Sequence, residues 1–227
     1  MASLDELLKP KRGINRGLIQ IPQDEWLLKT LDDALSHDVS PMRSGVFYPS
    51  SLGSPCDRYL YNCYNGLVKD EPITANTQRI FDCGDALGLR YEEYFKRMRC
   101  LLQTEAPLKY DKPPISGRLD FLIKHELYGS TVVELKSIND KGFQALEAPK
   151  PDHTVQLQIY LNVSGYQHGI VLYENKNTQE VKAFVMEKNV KHWEQIVDRC
   201  LNIMNMATQP VACTGYRYCP CHREETE

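Results

Sequence analysis

Three residues on two neighbouring apolar runs are placed to do chemistry. Asp120 lies in "GRLDFLIK", and Glu134 and Lys136 lie two residues apart in "STVVELKS". Both runs alternate as strands do, and the link "HELYGS" has the composition of a turn. Side chains alternate faces along a strand, so Glu134 and Lys136 share one. A turn centred near Leu127 sets Asp120 opposite Glu134, with Cβ atoms about 5 Å apart. Two carboxylates that close repel, and one takes a proton unless a cation stands between them. A divalent metal resolves the conflict: Mg²⁺ takes one or two carboxylates and fills its remaining positions with water and phosphate oxygens. Such a metal activates water and polarises a phosphodiester. Lys136, on the same face, would orient that water or offset charge in the transition state. The competing reading is a solvated sheet edge with a Lys–Glu pair, because the E-x-K spacing is common.

The elements that hold these residues follow from pattern. "APLKYDK", "GRLDFLIK" and "STVVELKS" read as successive strands, followed by a helix, "DHTVQLQIYLNVSGY". "HGIVLYENK" and "VKAFVMEK" read as two more strands joined by "NTQE". "VKHWEQIVDRCLNIMNMA" reads as a closing helix with Val190, Trp193, Val197, Cys200, Leu201 and Met204 on its apolar side. Upstream, residues 77–101 read as one amphipathic helix containing Gly84 and Gly88, which weaken a helix and so indicate close packing or close approach of a ligand. "DRYLYNCY" is a short helix, and "DVSPMRSGVFYPSSLGSPC" has loop composition. "IPQDEWLLKTLDDALSH" is a further helix, with Pro22, Asp24 and Glu25 suiting its first turn and Trp26, Thr30, Leu31, Ala34 and Leu35 as its stripe. The expected fold class is α/β, a small mixed sheet with a core hairpin, flanked by helices. The expected organisation is an arm and helix over 1–45, a core over 46–212 and a Cys-rich tail over 213–227.

Composition narrows the setting. A chain of 227 residues with 42% hydrophobic content suffices for one such domain with a small accessory layer. The net charge of −3 does not advertise nucleic-acid binding, so any such binding must come from local basic patches. No apolar run approaches the roughly 20 residues that span a membrane. The start "MASLDELLKPKRG" lacks an apolar signal core, so a reducing cytoplasm is expected. Eight cysteines in that setting indicate metal ligation or buried thiols rather than disulfides.

Together, "GRLD" and "ELK" resemble the core of the PD-(D/E)xK nucleases, and the wider pattern is similar to their RecB/Cas4-like exonuclease branch, phage-encoded copies in particular. "QLQIY" has the branch's Q-x-x-x-Y spacing, and "PSSLGSPCDRYLYN" resembles its early cysteine followed by an arginine and aromatics. A late cysteine group follows the closing helix, so the resemblance runs from about Tyr48 to His222. It implies a restriction-endonuclease-like mixed sheet and a Mg²⁺ or Mn²⁺ held by Asp120, Glu134 and the Leu135 carbonyl, with Lys136 assisting. It also implies that Gln156 and Tyr160, one helical turn apart, contact DNA and orient the lysine. One position departs. The branch carries a metal-ligating histidine one turn after a helical glycine; aligning Gly84 with that glycine puts Gly88 where the histidine belongs. Asp85, on a similar face, is the expected substitute, and Glu92 a weaker one. Glu105, just before the first strand, faces either the site or solvent.

The resemblance further implies that Cys56, Cys213, Cys219 and Cys221 ligate a [4Fe–4S] cluster, stapling the tail to the early loop. The C-x5-C-x-C spacing departs from the usual C-x2-C followed by a third cysteine, and His222 adds a nitrogen donor, so structural zinc is the rival and unliganded thiols the third reading. Cys63, Cys83, Cys100 and Cys200 read as buried inert thiols in helices. Lys96, Arg97, Arg99, Lys136, Lys141, Lys150 and Lys176 are mostly solvated, with some expected along a groove for phosphates. The expected function is a metal-dependent DNA exonuclease acting on ends or single strands, in processing or recombination of phage DNA. DNA is the expected partner, bound without sequence preference and in a strongly salt-dependent way. No membrane is expected, and a homo-oligomer or phage recombination and assembly partners stay open. The alternative is a nuclease fold kept as a DNA-binding or assembly component with weak or no catalysis, for which Gly88 is the motive.

Overall fold

The computed structural model describes residues 23–38, 43–68, 72–214, 219 and 221. The N-terminal arm, Pro22 and His222 lie outside the described residues. Five strands make one sheet in the order β1 (Leu101–Tyr110), β2 (Ile115–His125), β3 (Gly129–Ile138), β4 (His168–Asn175), β5 (Val181–Glu187). Neighbours are antiparallel except β3 and β4, which are parallel. A parallel pair needs a long crossover, and α5 (Asp140–Gln144) with α6 (Pro151–Ser164) supplies it. The other helices are α1 (Glu25–Leu35), α2 (Pro49–Leu52), α3 (Asp57–Asn65), α4 (Ala75–Arg97) and α7 (Val190–Met204).

The sheet is covered on both faces. Leu87, Tyr91 and Phe95 of α4 pack on Phe121, Ile123, Val133 and Ile170. On the other face Leu157, Tyr160 and Leu161 of α6 join Leu122, Val132, Val171 and Tyr173, with Ile196, Cys200 and Ile203 of α7 behind them. Helix α6 is enclosed so thoroughly that Gln156 and Gln158 are buried with its leucines. Gln158 is satisfied there: its Nε2 donates to Glu187 O (2.8 Å) and its Oε1 accepts from the Asn189 amide (2.8 Å).

Several local readings are corrected. The long helix stops at Arg97, and Arg99 turns the chain with a φ of 56° so that Leu101 already opens β1. Glu105 therefore lies inside β1 rather than before it. Asp24 and Glu25 do stand at the positive end of α1, Asp24 as its N-cap accepting the Leu27 amide at 2.9 Å. The apolar stripe of α1 is not core: no residue of α1 is buried and Trp26 is 73% exposed. This helix lies against α4 through an Arg79–Asp32 ion pair of 2.6 Å, and its outer side is uncovered among the described residues. Cys63 and Cys200 are buried, but Cys83 is exposed and Cys100 is half-buried between α4 and β1. Gly84 and Gly88 do not mark close packing, because a Cβ at either position meets nothing within 4 Å. The five-residue α5 went unread because it is too short to show a period.

One polar clamp sets the height of α4 over the sheet. Glu174 of β4 is buried; one oxygen pairs with Arg90, and the other accepts the Tyr91 hydroxyl at 2.9 Å. Arg90 also donates to Gln179 Oε1 at 3.3 Å. Burial and the adjacent Glu174 charge push the Tyr91 phenol upward, so it stays a donor. Glu174→Ala leaves the Tyr91 hydroxyl without its acceptor and takes the ion pair from Arg90, which keeps its bond to Gln179. It should lower unfolding free energy in urea by about 2–3 kcal/mol, the buried-pair cost reduced for the partly exposed guanidinium. A change below about 0.5 kcal/mol would show that the clamp contributes no more than an ordinary surface contact.

Candidate active site

The central geometry is a fork between two strands. β2 pairs with β3 from His125↔Gly129 up to Phe121↔Val133, and there the ladder ends. Continuing the register makes Asp120 and Glu134 the next opposed pair. β3 does not stop with the ladder: it stays paired to β4 as far as Ile138↔Asn175. β2 parts from β3 there, and the Leu135 amide, beyond the end of that ladder, finds its partner in a side chain, donating to Asp120 Oδ2 at 2.8 Å. The expected opposition of the two carboxylates is thus present, just beyond the last backbone pair.

Glu134 is fully buried, 0% exposed. Lys136 Nζ stands 2.5 Å from its Oε1 as an ion pair. Apart from that charge contact neither carboxylate oxygen has a hydrogen-bond partner. Burial, and then the Asp120 charge, push the Glu134 carboxyl up to about 8, against the pull of Lys136. Burial also raises Asp120, partly offset by the Leu135 amide and Lys136. Two carboxyls raised together beside a single ammonium are short of positive charge.

A cavity of about 530 Å³ opens over the fork. Asp120, Leu135, Lys136 and Ser137 line it from β2 and β3, and Thr104 and Glu105 from β1. Its far wall is α4, with Gly84, Asp85, Gly88 and Glu92. Asp85 therefore reaches the cavity as expected. Glu92 does too, but its carboxylate is 2.7 Å from Lys96 Nζ. Lys96 is held by Glu93 as well, at 2.8 Å, so it is not a free cation for phosphates. Lys141, Lys150, Lys176, Arg97 and Arg99 are exposed.

Gln156 and Tyr160 are both buried and do not line the cavity. Gln156 Nε2 donates to the Tyr160 hydroxyl at 3.0 Å. The phenol is pushed upward by burial and by the nearby Glu134 charge. The pair thus forms a support under the carboxylates. His153 escaped the sequence reading although it lies three residues before Gln156 on the same helix. Its Nδ1 is 2.6 Å from the Tyr173 hydroxyl, which also accepts the Lys150 amide at 2.9 Å. Burial, with Lys136 and Lys150 adding to it against Asp152, pushes His153 down to about 4, so the imidazole is neutral, and its tautomer sets the direction of the bond to Tyr173.

Solved structures share this architecture. The fold is nuclease-like. The crystal structure of SSO0001 matches at a TM-score of 0.53 and 23% identity, over 84% of this chain and 89% of that one. The alkaline exonuclease LHK-Exo from Laribacter hongkongensis matches at a TM-score of 0.52 and 13% identity, over 78% and 90%. LHK-Exo in complex with dAMP matches at 0.53 and 15%, over 70% and 86%. No protein-family model and no curated protein sequence matches the chain. No helix among the described residues is long and apolar enough to cross a membrane.

The nuclease-like fold carries a second constellation at the other end of the chain. Cys56, Cys213, Cys219 and Cys221 bring their sulfurs within 4.8 Å of one another. Cys213 Sγ and Cys221 Sγ are 3.6 Å apart, and none of the four is in a disulfide. Cys56 caps α3, its sulfur accepting the Tyr59 amide at 3.4 Å. Burial opposes a Cys56 thiolate, but that amide and the three neighbouring thiols outweigh it. The donor set fits a tetrathiolate metal site. One zinc with thiolates at about 2.3 Å holds its sulfurs about 3.8 Å apart. A [4Fe–4S] cube, with each thiolate on its own iron, holds them about 6 Å apart. Cys219→Ala should release the bound metal in elemental analysis and lower Tm by several degrees. Unchanged metal content and Tm would show that these thiols pack together without a metal.

Proposed function

We propose that this chain is a divalent-metal-dependent nuclease that hydrolyses phosphodiester bonds in DNA at ends or in single strands. The observation that carries the reading is the fully buried Glu134 carboxylate, without a hydrogen-bond partner, next to Asp120 at the mouth of the β2–β3 fork. With Asp120 beside it, the single Lys136 ammonium leaves the pair a charge short, and a second cation would offset the cost of burying both carboxylates. The likeness of the fold to the LHK-Exo exonucleases supports the same reading.

Asp120, Glu134, the Leu135 carbonyl and Asp85 would hold Mg²⁺ or Mn²⁺. A cation held there supplies the charge that makes water nucleophilic near neutral pH and polarises the phosphodiester. Lys136 lines the cavity beside Asp120, where it would face both the attacking water and the developing negative charge. Tyr160, braced by Gln156, supports Glu134 from beneath. The cavity is open along α4, where Gly84 and Gly88 leave room for a strand. Exposed Lys141 and Lys150 suit contacts to phosphates, so binding is nonspecific and weakens steeply with salt. Processing or recombination of DNA, in a phage setting, is the role that fits.

A second reading keeps DNA binding without turnover, and Gly88, which leaves α4 without a donor atom at that position, favours it. At the tetrathiolate the sulfur spacing favours a single zinc over the [4Fe–4S] cluster that the family resemblance implies. One zinc per chain in a colourless preparation is the expected analysis, and about four irons with labile sulfide in a brown one would reverse that assignment.

End-labelled single- and double-stranded DNA with Mg²⁺ or Mn²⁺ tests the main reading. The parent should digest it, and Asp120→Asn and Glu134→Gln should each slow digestion at least about 100-fold. Glu134→Gln should leave the metal-free Tm unchanged or raised, since the amide cannot take on the charge that is costly to bury there. Variants as fast as the parent would overturn the assignment, and DNA binding without cleavage in either metal would establish the second reading.

A further inference from the structure

β1 brings another carboxylate to the fork from the opposite side. Glu105 lies between the pairs Thr104↔Phe121 and Ala106↔Leu119, so it stands opposite Asp120, as Asp120 stands opposite Glu134. Glu105, Asp120 and Glu134 thus form one row across β1, β2 and β3. The pleat breaks along this row. Leu119 belongs to the core on the α6 side, whereas Phe121, two residues on, belongs to the core on the α4 side. Regular alternation would keep both on one face. Glu105 itself has a φ of 51°, in the left-handed region.

A row of acids alone is no site. What points to a ligand is the innermost member: Glu134 is fully buried, neither oxygen has a hydrogen-bond partner, and the Lys136 ammonium at Oε1 leaves Oε2 with no counter-charge among the described residues. Glu105 lines the same cavity as Asp120, and its charge acts on both other carboxyls, raising each. Its only ion pair among the described residues uses Oε2, 3.0 Å from the exposed Arg118 Nε. The opposite wall offers no donor at Gly88, and a Cβ there meets nothing within 4 Å.

We propose that Glu105 is a metal-ligating carboxylate of this site, supplying from β1 the donor that α4 lacks at Gly88. The inference rests on the nuclease reading and adds a ligand to it. Magnesium and manganese both accept carboxylate oxygens readily, and a shell of Glu105, Asp120 and Glu134 balances the cation without a histidine. Arg118 then holds the second Glu105 oxygen and orients the group, as an outer partner of a ligand does.

Calorimetric titration of the full chain with Mn²⁺, in the absence of DNA, tests this without relying on activity. Glu105→Gln should weaken Mn²⁺ binding at least about tenfold, the loss typical even of an outer partner. Its Tm should hold, because the side chain is 56% exposed. Gly88→His in the Glu105→Gln background should recover most of the affinity, since an imidazole has open space there. Glu105→Gln binding Mn²⁺ within about twofold of the parent, while Asp120→Asn loses it, would overturn this proposal and leave the nuclease reading standing. A parent that binds no Mn²⁺ would overturn both.

Discussion

A carboxylate sealed away from water without hydrogen bonds is the constraint around which the molecule is arranged. Glu134 sits in the middle of the sheet, on its central strand, and one ammonium is its only close counter-charge among the described residues. An apolar residue there would fold more easily. In the metal-free protein burial drives the group toward the neutral form, up to about 8. The sign of the linkage follows. The stabilisation from the raised value is complete below the ordinary carboxylate range and is lost as pH rises from there through about 8. A cation in the fork removes that loss by replacing the proton.

The surrounding structure serves this one group. β2 parts from β3 at Asp120 while β3 continues beside β4, which creates a cleft without ending the sheet. The parallel step demands a crossover, and the crossover brings α6 across the lower face, where Gln156 and Tyr160 form a buried polar support. The Tyr173–His153 contact fixes the start of that helix. Above the sheet, Glu174 holds α4 by Arg90 and Tyr91, and α4 in turn forms the wall of the cavity. Far from the fork, four cysteines gather parts of the chain more than 150 residues apart (Cys56 and Cys213 to Cys221), which two faces of apolar packing do not by themselves require.

Much of this was legible in the sequence because it is local. Period-two alternation located four of the strands closely, and the turn at Leu127 alone predicted that Asp120 opposes Glu134. The cysteine tetrad was named from its resemblance, and the sulfurs do converge. What escaped depends on pairing between distant segments. Residues 101–105 look like a helix end because their strand character comes from β2, so Glu105 was placed outside the strand. The pleat break beside it comes from two strands turning together, which neither records alone. The stripe of α1 was legible as a stripe, but periodicity shows an amphipathic helix and does not say whether anything covers it. The glycines of α4 were read as marking either close packing or close approach of a ligand, and they open onto the cavity rather than pack.

The claim that Glu134 and Asp120 await a cation is tested most directly by counting protons on metal binding. Mn²⁺ titrations run in buffers of different ionisation enthalpy give the number of protons released per metal. With Glu134 raised to about 8, binding near neutral pH should release close to one proton, the release should fade above about pH 9, and Glu134→Gln should abolish it. Binding of Mn²⁺ with no proton release across that range, or no binding by the parent, would contradict the account.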